Sequence, residues 1–264
     1  MSKGSTQEVA PGVHCLPVGK GFMRANVFFV QSETSWTLVD AGSPSSGPAI
    51  VKAAESLFGA GSPPASILLT HDHPDHSGAA RELAVLWGRP IWVHPDELPM
   101  TLGNIATYHE YAHPLDRWVV LPMLRLMGTR RAQAITSRAS LEDVVRALDQ
   151  GAAPPGLPDW EVVPTRGHTP GHIALFRKTD RVLISGDALL TMDFGSLGGL
   201  LFEKQRVAGP PWYVTWDRRA ARAAIASLAE LEPLVVAGGH GTPMAGVDMP
   251  AKVYAYATSL KRRQ

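Results

Sequence analysis

The chain has 264 residues, 45% of them hydrophobic, enough to bury a sizeable core. A formal net charge of +1 excludes a generally basic nucleic-acid or membrane-surface binder. The single cysteine, Cys15, excludes an intramolecular disulfide and a cysteine-built metal site.

Met1 to Gly12 is a polar leader without the apolar centre of a signal peptide. No apolar run reaches membrane-spanning length. With the lone cysteine fitting a reducing compartment, the expectation is a soluble, cytoplasmic protein with neither nucleic acid nor membrane among its partners. Gly12 to Pro17 then reads as a short strand. Asn26 to Val30 and Trp36 to Asp40 read as a strand pair around the turn Ser32-Glu33-Thr34. A helix is predicted from about Pro48 to Phe58, and a buried strand at Ile67-Leu68-Leu69. A helix over 79–87 and a strand from Pro90 to Val93 complete a β-α-β-like passage.

The stretch 95–156 has a different character. It is rich in Leu, Met, Arg and Tyr, and helical spacing runs from Leu141 to Leu148, ended by Gly151. Strands resume at Glu161 to Pro164, His172 to Arg177 and Arg181 to Ser185. A long Gly-containing loop is expected from Leu189 to about Tyr213. Asp217 is a plausible N-cap for a helix ending near Leu231, closed off by Pro233. Leu234 to Ala237 reads as a last strand and Pro250 to Lys261 as a last helix. The whole suggests two sheets with helices outside and a helical insertion at about 95–156, in one domain over 1–264.

The chemistry concentrates in His71-Asp72-His73-Pro74-Asp75-His76, three histidines and two aspartates in six residues directly after a buried strand. Side chains two apart at a strand end point to one face, so His71 and His73 can converge on one ion. Pro74 turns the chain and lets Asp75 and His76 aim at a second point close by. Neutral imidazoles with a carboxylate suit Zn²⁺, and Fe²⁺ and Mn²⁺ are compatible alternatives. Three further turns beside strands carry ligand-type residues: Gly167-His168, Gly186-Asp187 and Gly239-His240-Gly241. A polar loop that merely holds histidines is the bland alternative, and the spacing argues against it.

This ordered set, with Asp40-Ala41-Gly42 as an early turn, resembles the metallo-β-lactamase superfamily over about Val13 to Met244. The resemblance implies an α+β fold, a four-layer αβ/βα sandwich with two metals at one edge of facing sheets. It implies that His71, His73 and His168 hold the first ion. Asp75, His76 and His240 hold the second, and Asp187 bridges both. His172 is the tempting extra ligand, but its strand position favours a supporting role. Asp72 is expected to point away from the metals and fix its loop, and Asp40 to support the site. His14, His94, His109 and His113 lack ligand-like spacing and read as surface or packing residues.

Two divalent ions sharing a carboxylate can hold a water between them and bring its ionisation towards neutral pH. The expected reaction is metal-assisted hydrolysis by a bridging hydroxide, with Asp75 as the catalytic residue that orients the nucleophile or passes a proton. No serine or cysteine nucleophile motif competes, and Gly195 to Gly199 lacks the flanks of a dinucleotide site. The expected substrate is a small ester, lactone or thioester with an apolar body. Its pocket is expected from Tyr108, Tyr111 and Trp118 to Leu124 in the insertion. The loop after Asp187 adds Phe194, Leu197, Leu200, Leu201, Phe202 and Trp212. The same apolar insertion offers a homodimer contact. Arg117, Arg125, Arg130, Arg131 and Arg138 read as a solvated helix face or, more sharply, as a site for an anionic tail.

Within the resemblance, true β-lactamases generally lack the bridging aspartate supplied by Asp187. Glyoxalase II adds a glutathione-binding helical region after the position of His240. Quorum-signal lactonases usually carry a tyrosine where this chain has Leu190. The competing readings are a mononuclear iron dioxygenase of sulfur compounds and a phosphodiesterase or nucleic-acid-processing relative.

Overall fold

A computed structural model of the chain describes residues 5–21, 24–33, 35–128, 131, 140–194 and 205–261. One sheet carries, side by side, β1 (Gln7–Ala10), β2 (Val13–Val18), β3 (Ala25–Ser32), β4 (Ser35–Val39), β5 (Ser66–Leu68), β6 (Ile91–Val93) and β7 (Val145–Ala147). Its first four strands are antiparallel, as hairpin connections allow, and β4 to β7 are parallel. The second sheet is built from β8 (Trp160–Pro164), β9 (Ile173–Arg177), β10 (Val182–Gly186), β13 (Val235–Gly238) and β14 (Met244–Ala245), in the order β14-β13-β10-β9-β8. Between β10 and β13 in the chain, β11 (Leu190–Met192) and β12 (Gln205–Ala208) form a small antiparallel ribbon.

The period-2 alternation of the strands explains the layering. In β3, Phe28 and Val30 face the second sheet and meet Ile173, Leu175, Val182 and Ile184 in a buried cluster. Their neighbours Val27 and Phe29 face outward, onto Ile50, Ala53 and Ala54 of α1 (Gly47–Phe58) and Ala80, Leu83 and Ala84 of α3 (Ala80–Trp87). Ala174, Phe176 and Leu183 likewise turn outward, onto Ile225 and Leu228 of α7 (Arg218–Glu230) and Val253 of α8 (Met249–Lys261). The result is the expected helix/sheet/sheet/helix sandwich. Asp217 caps α7 as predicted, accepting from the backbone N–H groups of Arg219 and Ala220, worth about 1 kcal/mol.

The short helix α2 (Pro74–Ser77) follows β5 directly. The insertion contains α4 (Leu98–Thr101), α5 (Ile105–Glu110), a π-helical turn at Asp116–Val120 and α6 (Leu121–Met127). The helix expected over Leu141 to Leu148 is instead a turn followed by β7, whose Val145 and Ala147 pair with Ile91 and Val93 of β6. An open parallel edge outcompetes local helical spacing over so few residues. Two further segments expected to be irregular pair antiparallel instead. Gln7–Ala10 of the polar leader pairs with β2, and the loop expected from Leu189 to Tyr213 contains the β11–β12 ribbon. Among the described residues no helix is long and apolar enough to cross a membrane.

Candidate metal centre

Four loops meet at one edge of the sandwich. The first leaves β5 and carries Thr70 to His76; the second joins β8 to β9 and carries His168. The third and fourth follow β10 and β13, two parallel neighbours, and carry Asp187 and His240. All seven predicted ligands come together there. His71, His73 and His168 form one group, His71, His76 and Asp187 a second, and Asp75, His76 and His240 a third, with donor atoms within 4.8 Å of one another in each.

The distances show how tightly the groups interlock. Nε2 of His76 lies 3.4 Å from Nε2 of His240 and 3.4 Å from Oδ1 of Asp187. The other Asp187 oxygen, Oδ2, lies 3.3 Å from Nε2 of His168 and 3.5 Å from Nε2 of His240. The Asp187 carboxylate therefore sits between the ligand sets, one oxygen towards His76 and the other towards His168 and His240. Asp75 Oδ2 approaches His240 Nε2 at 3.4 Å. Glycine is required for this closeness: a methyl group on Gly239 would meet the Asp187 carboxylate and the His76 ring.

The donor set fits divalent ions. Nε2 of His71, both ring nitrogens of His168 and Oδ1 of Asp187 are buried and without a hydrogen-bond partner. Buried polar atoms are rarely left so, because each forfeits its hydration. His71 Nε2, one ring nitrogen of His168 and Asp187 Oδ1, brought together from three separate loops, have the arrangement that a cation would satisfy. Electrostatics agrees. Burial, reinforced by the neighbouring histidines, pushes His71 well below the ordinary imidazole range, and burial with His168 does so for His73. Both rings are thus neutral, the form that ligates. Burial opposes charge on His76 as well, but Asp187 and Asp40 outweigh it and hold its proton affinity up at about 9. His240 is likewise raised, against burial, by Asp187 and Asp75. Burial would raise the Asp75 carboxyl, yet the hydrogen bond from His240 and the nearby His76 hold it below the usual carboxylate range.

The supports behind the ligands are equally specific. Asp40, in the left-handed region at φ 61°, accepts from Thr70 N at 2.8 Å and from His76 Nδ1 at 2.9 Å. Thr70 Oγ1 donates to Asp40 and sits 3.0 Å from His71 Nδ1. His240 Nδ1 donates to the Arg24 carbonyl at 2.7 Å, which leaves Nε2 facing the centre. His172 is no ligand here. It lies behind the site, Nδ1 on Thr165 Oγ1 at 2.7 Å and Nε2 accepting the Asp187 backbone N–H at 2.9 Å, the supporting place expected for it.

Sequence reading missed Glu97 and Asn26. Buried Glu97 accepts from both the first and the second ligand loop. Asn26 donates to the Gly238 and Gly241 carbonyls and so clamps the His240 loop to β3. A lone amide in an apolar strand was the available signal for Asn26; nothing local marked Glu97. His113 also departs from the bland expectation. Its ring lies edge-on to His73 with centroids 5.5 Å apart, and its Nδ1 accepts the Asp116 backbone N–H at 3.3 Å. Tyr108 donates to Asp116 Oδ1.

Above the centre opens a cavity of about 700 Å³. Its floor includes His73, Asp75, His168, Asp187 and His240. Tyr108, Tyr111, Val120, Met123 and Leu124 of the insertion form one wall, and Leu190 and Phe194 another. The predicted pocket is only partly of the predicted residues. Trp118 is 83% exposed and does not line it, nor does half-exposed Trp212. Leu197, Leu200, Leu201, Phe202, Arg130 and Arg138 lie outside the described residues. Arg117 turns back onto the Ala112 carbonyl, while Arg125 and Arg131 are exposed.

A layered sandwich with histidine- and aspartate-bearing loops gathered at one sheet edge defines a metal-dependent hydrolase fold. The chain belongs to the metallo-β-lactamase superfamily, whose profile matches residues 21–240. It is 37% identical over 262 residues to the probable metallo-hydrolase YflN of Bacillus subtilis (strain 168), covering 97% of this chain and 94% of that one. Its fold is similar to that of the metallo-β-lactamase family protein TTHA1429 from Thermus thermophilus, with TM-score 0.65 and 23% identity over 97% of this chain and 80% of the other. It is also similar to the crystal structure of TTHA1623 in a di-iron-bound form, with TM-score 0.57 and 26% identity over 88% and 96% of the two chains. Membership of this superfamily implies use of divalent metal, and the relative named a probable metallo-hydrolase points by homology to that class.

Proposed function

We propose that the protein hydrolyses a small ester, lactone or thioester with an apolar body, using two divalent ions, zinc being the first choice. One observation carries the reading: seven ligand-type side chains converge at one point, and five of them, His73, Asp75, His168, Asp187 and His240, line the floor of an otherwise largely apolar cavity. His71, His73 and His168 would hold one ion, Asp75, His76 and His240 the other, and Asp187 both. When bound, the ions supply the Lewis-acid charge that brings water towards ionisation near neutral pH and polarises a carbonyl oxygen.

The chain's own residues do the rest. Asp75 lies at the cavity floor, ionised, and one of its oxygens faces His240. It is placed to accept a hydrogen bond from the attacking water and orient it. The neutral rings of His71 and His73 keep the floor from repelling ions. Tyr108, Val120, Met123, Leu124 and Phe194 take the apolar body and exclude water from the reacting bond. The relative named a probable metallo-hydrolase, similar over nearly the whole chain, supports hydrolysis as the reaction class. The di-iron form of TTHA1623 keeps iron as the second candidate metal.

The test is a panel of lactones, thioesters, carboxylic esters, phosphodiesters and a β-lactam, run with metal-loaded and chelator-treated protein. Chelator-sensitive turnover confined to carboxylic-type bonds, with about two metals per chain, supports the reading. Hydrolysis of phosphodiesters alone, or one iron per chain with oxygen uptake, sinks it.

A further inference from the structure

Glu97 is almost fully buried at the start of α4, and among the described residues no cation pairs with it. Its two oxygens instead face two different ligand loops. Oε1 accepts the backbone N–H of Asp72, the residue between His71 and His73, at 2.8 Å. Oε2 accepts the Thr169 hydroxyl and the Gly171 backbone N–H, both at 2.8 Å, immediately after His168. The backbones approach so closely here that a methyl group on Gly171 would strike the backbone of Glu97.

From this juxtaposition we infer that Glu97 is a positioning residue that sets the spacing of His71 and His73 against His168, and so selectively tightens the first metal position. The inference rests on the dinuclear reading above. Its basis is an asymmetry of support. The rings of His71, His73 and His168 lie 4.5–4.8 Å apart, centroid to centroid, although His168 arrives on a loop from the opposite sheet. Glu97 bridges the two loops directly. The other supports do not make this bridge: Asp40 reaches His76 and Thr70 within the first loop, and the Arg24 carbonyl and the Asn26 clamp hold His240. A carboxylate can accept three bonds from two sides, whereas an amide must turn an NH₂ group towards one of the loops. Glutamine at this position therefore leaves one loop facing a donor where it needs an acceptor.

The experiment uses full-length wild type, Glu97→Gln and Thr169→Val, each loaded with zinc. Stepwise zinc release to a chromophoric chelator is followed together with far-UV circular dichroism and the melting temperature of the metal-free protein. The expected result for Glu97→Gln is a loss of roughly 10- to 100-fold in affinity at one zinc position, with the other within about threefold of wild type. Thr169→Val, which deletes a single bond and keeps the carboxylate, shifts the same position in the same direction by less, and it decides the matter if Glu97→Gln does not fold. Two wild-type affinities in the variants, or an equal loss at both positions in step with the melting temperature, overturns the inference. A wild-type protein that takes up no zinc or iron instead overturns the metal-centre reading itself.

Discussion

Asp40→Asn tests the metal-site electrostatics at a residue that touches no ion. Asparagine tolerates the left-handed backbone at φ 61°, so the fold is expected to survive the change. In the native protein Asp40 Oδ1 takes the Thr70 N–H and Oδ2 takes the His76 Nδ1–H. The amide keeps the first bond and places an NH₂ group against Nδ1. His76 must then accept at Nδ1 and carry its proton on Nε2, the nitrogen that faces Asp187 and His240. For Nε2 to bind metal, the ring must return to the tautomer that puts two donors face to face. The bond forfeited is charge-assisted and worth about 1.5–3 kcal/mol, or roughly 10- to 140-fold in affinity. Competition against a chromophoric chelator should show that loss at one zinc position, the one that includes His76. Unchanged affinity at both positions, with native circular dichroism, would refute the tautomer argument.

Loading the metal-free protein should release protons, because His76 is held up at about 9 and His240 well above the ordinary imidazole range, and ions displace those protons. Their Nε2 atoms are 3.4 Å apart and share charge, so at least one proton per chain is expected near pH 7, falling away above about pH 9. Zinc titration calorimetry in buffers of differing ionisation enthalpy measures it, and buffer-independent heats would contradict it. Cys15 is buried and its thiol is pushed up to about 12 by burial, so it should resist thiol reagents until the protein unfolds. The unfolded thiol ionises from about 9 while the folded one keeps its proton, so this group's contribution to stability is lost as pH rises from about 9 towards 12. Phe28→Ala, between the sheets, should cost about 3–5 kcal/mol in denaturant unfolding. Met123 lines the cavity yet is half exposed, so Met123→Lys should leave stability intact. It should raise KM for esters with long apolar groups and spare kcat on the smallest ones; an unchanged ratio would remove Met123 from the substrate wall.

Residue types and short-range spacing were enough to identify the ligands and most strands. His71 and His73 share a face because strands repeat every two residues, and Phe28 and Val30 part from Val27 and Phe29 for the same reason. Asp217 announced a helix start because its side chain satisfies N–H groups only two and three residues on. These are local interactions, written in consecutive letters. Tertiary structure decided what depends on partners far along the chain. β7 exists because β6 offers an open edge, against the helical spacing of its own residues. Glu97 and Asn26 matter through bonds to residues more than 70 and 200 positions away, which no periodicity encodes. The wall of the cavity was decided in the same way: that Val120, Met123 and Leu124 line it and Trp118 does not is settled only once the insertion is placed on the sandwich.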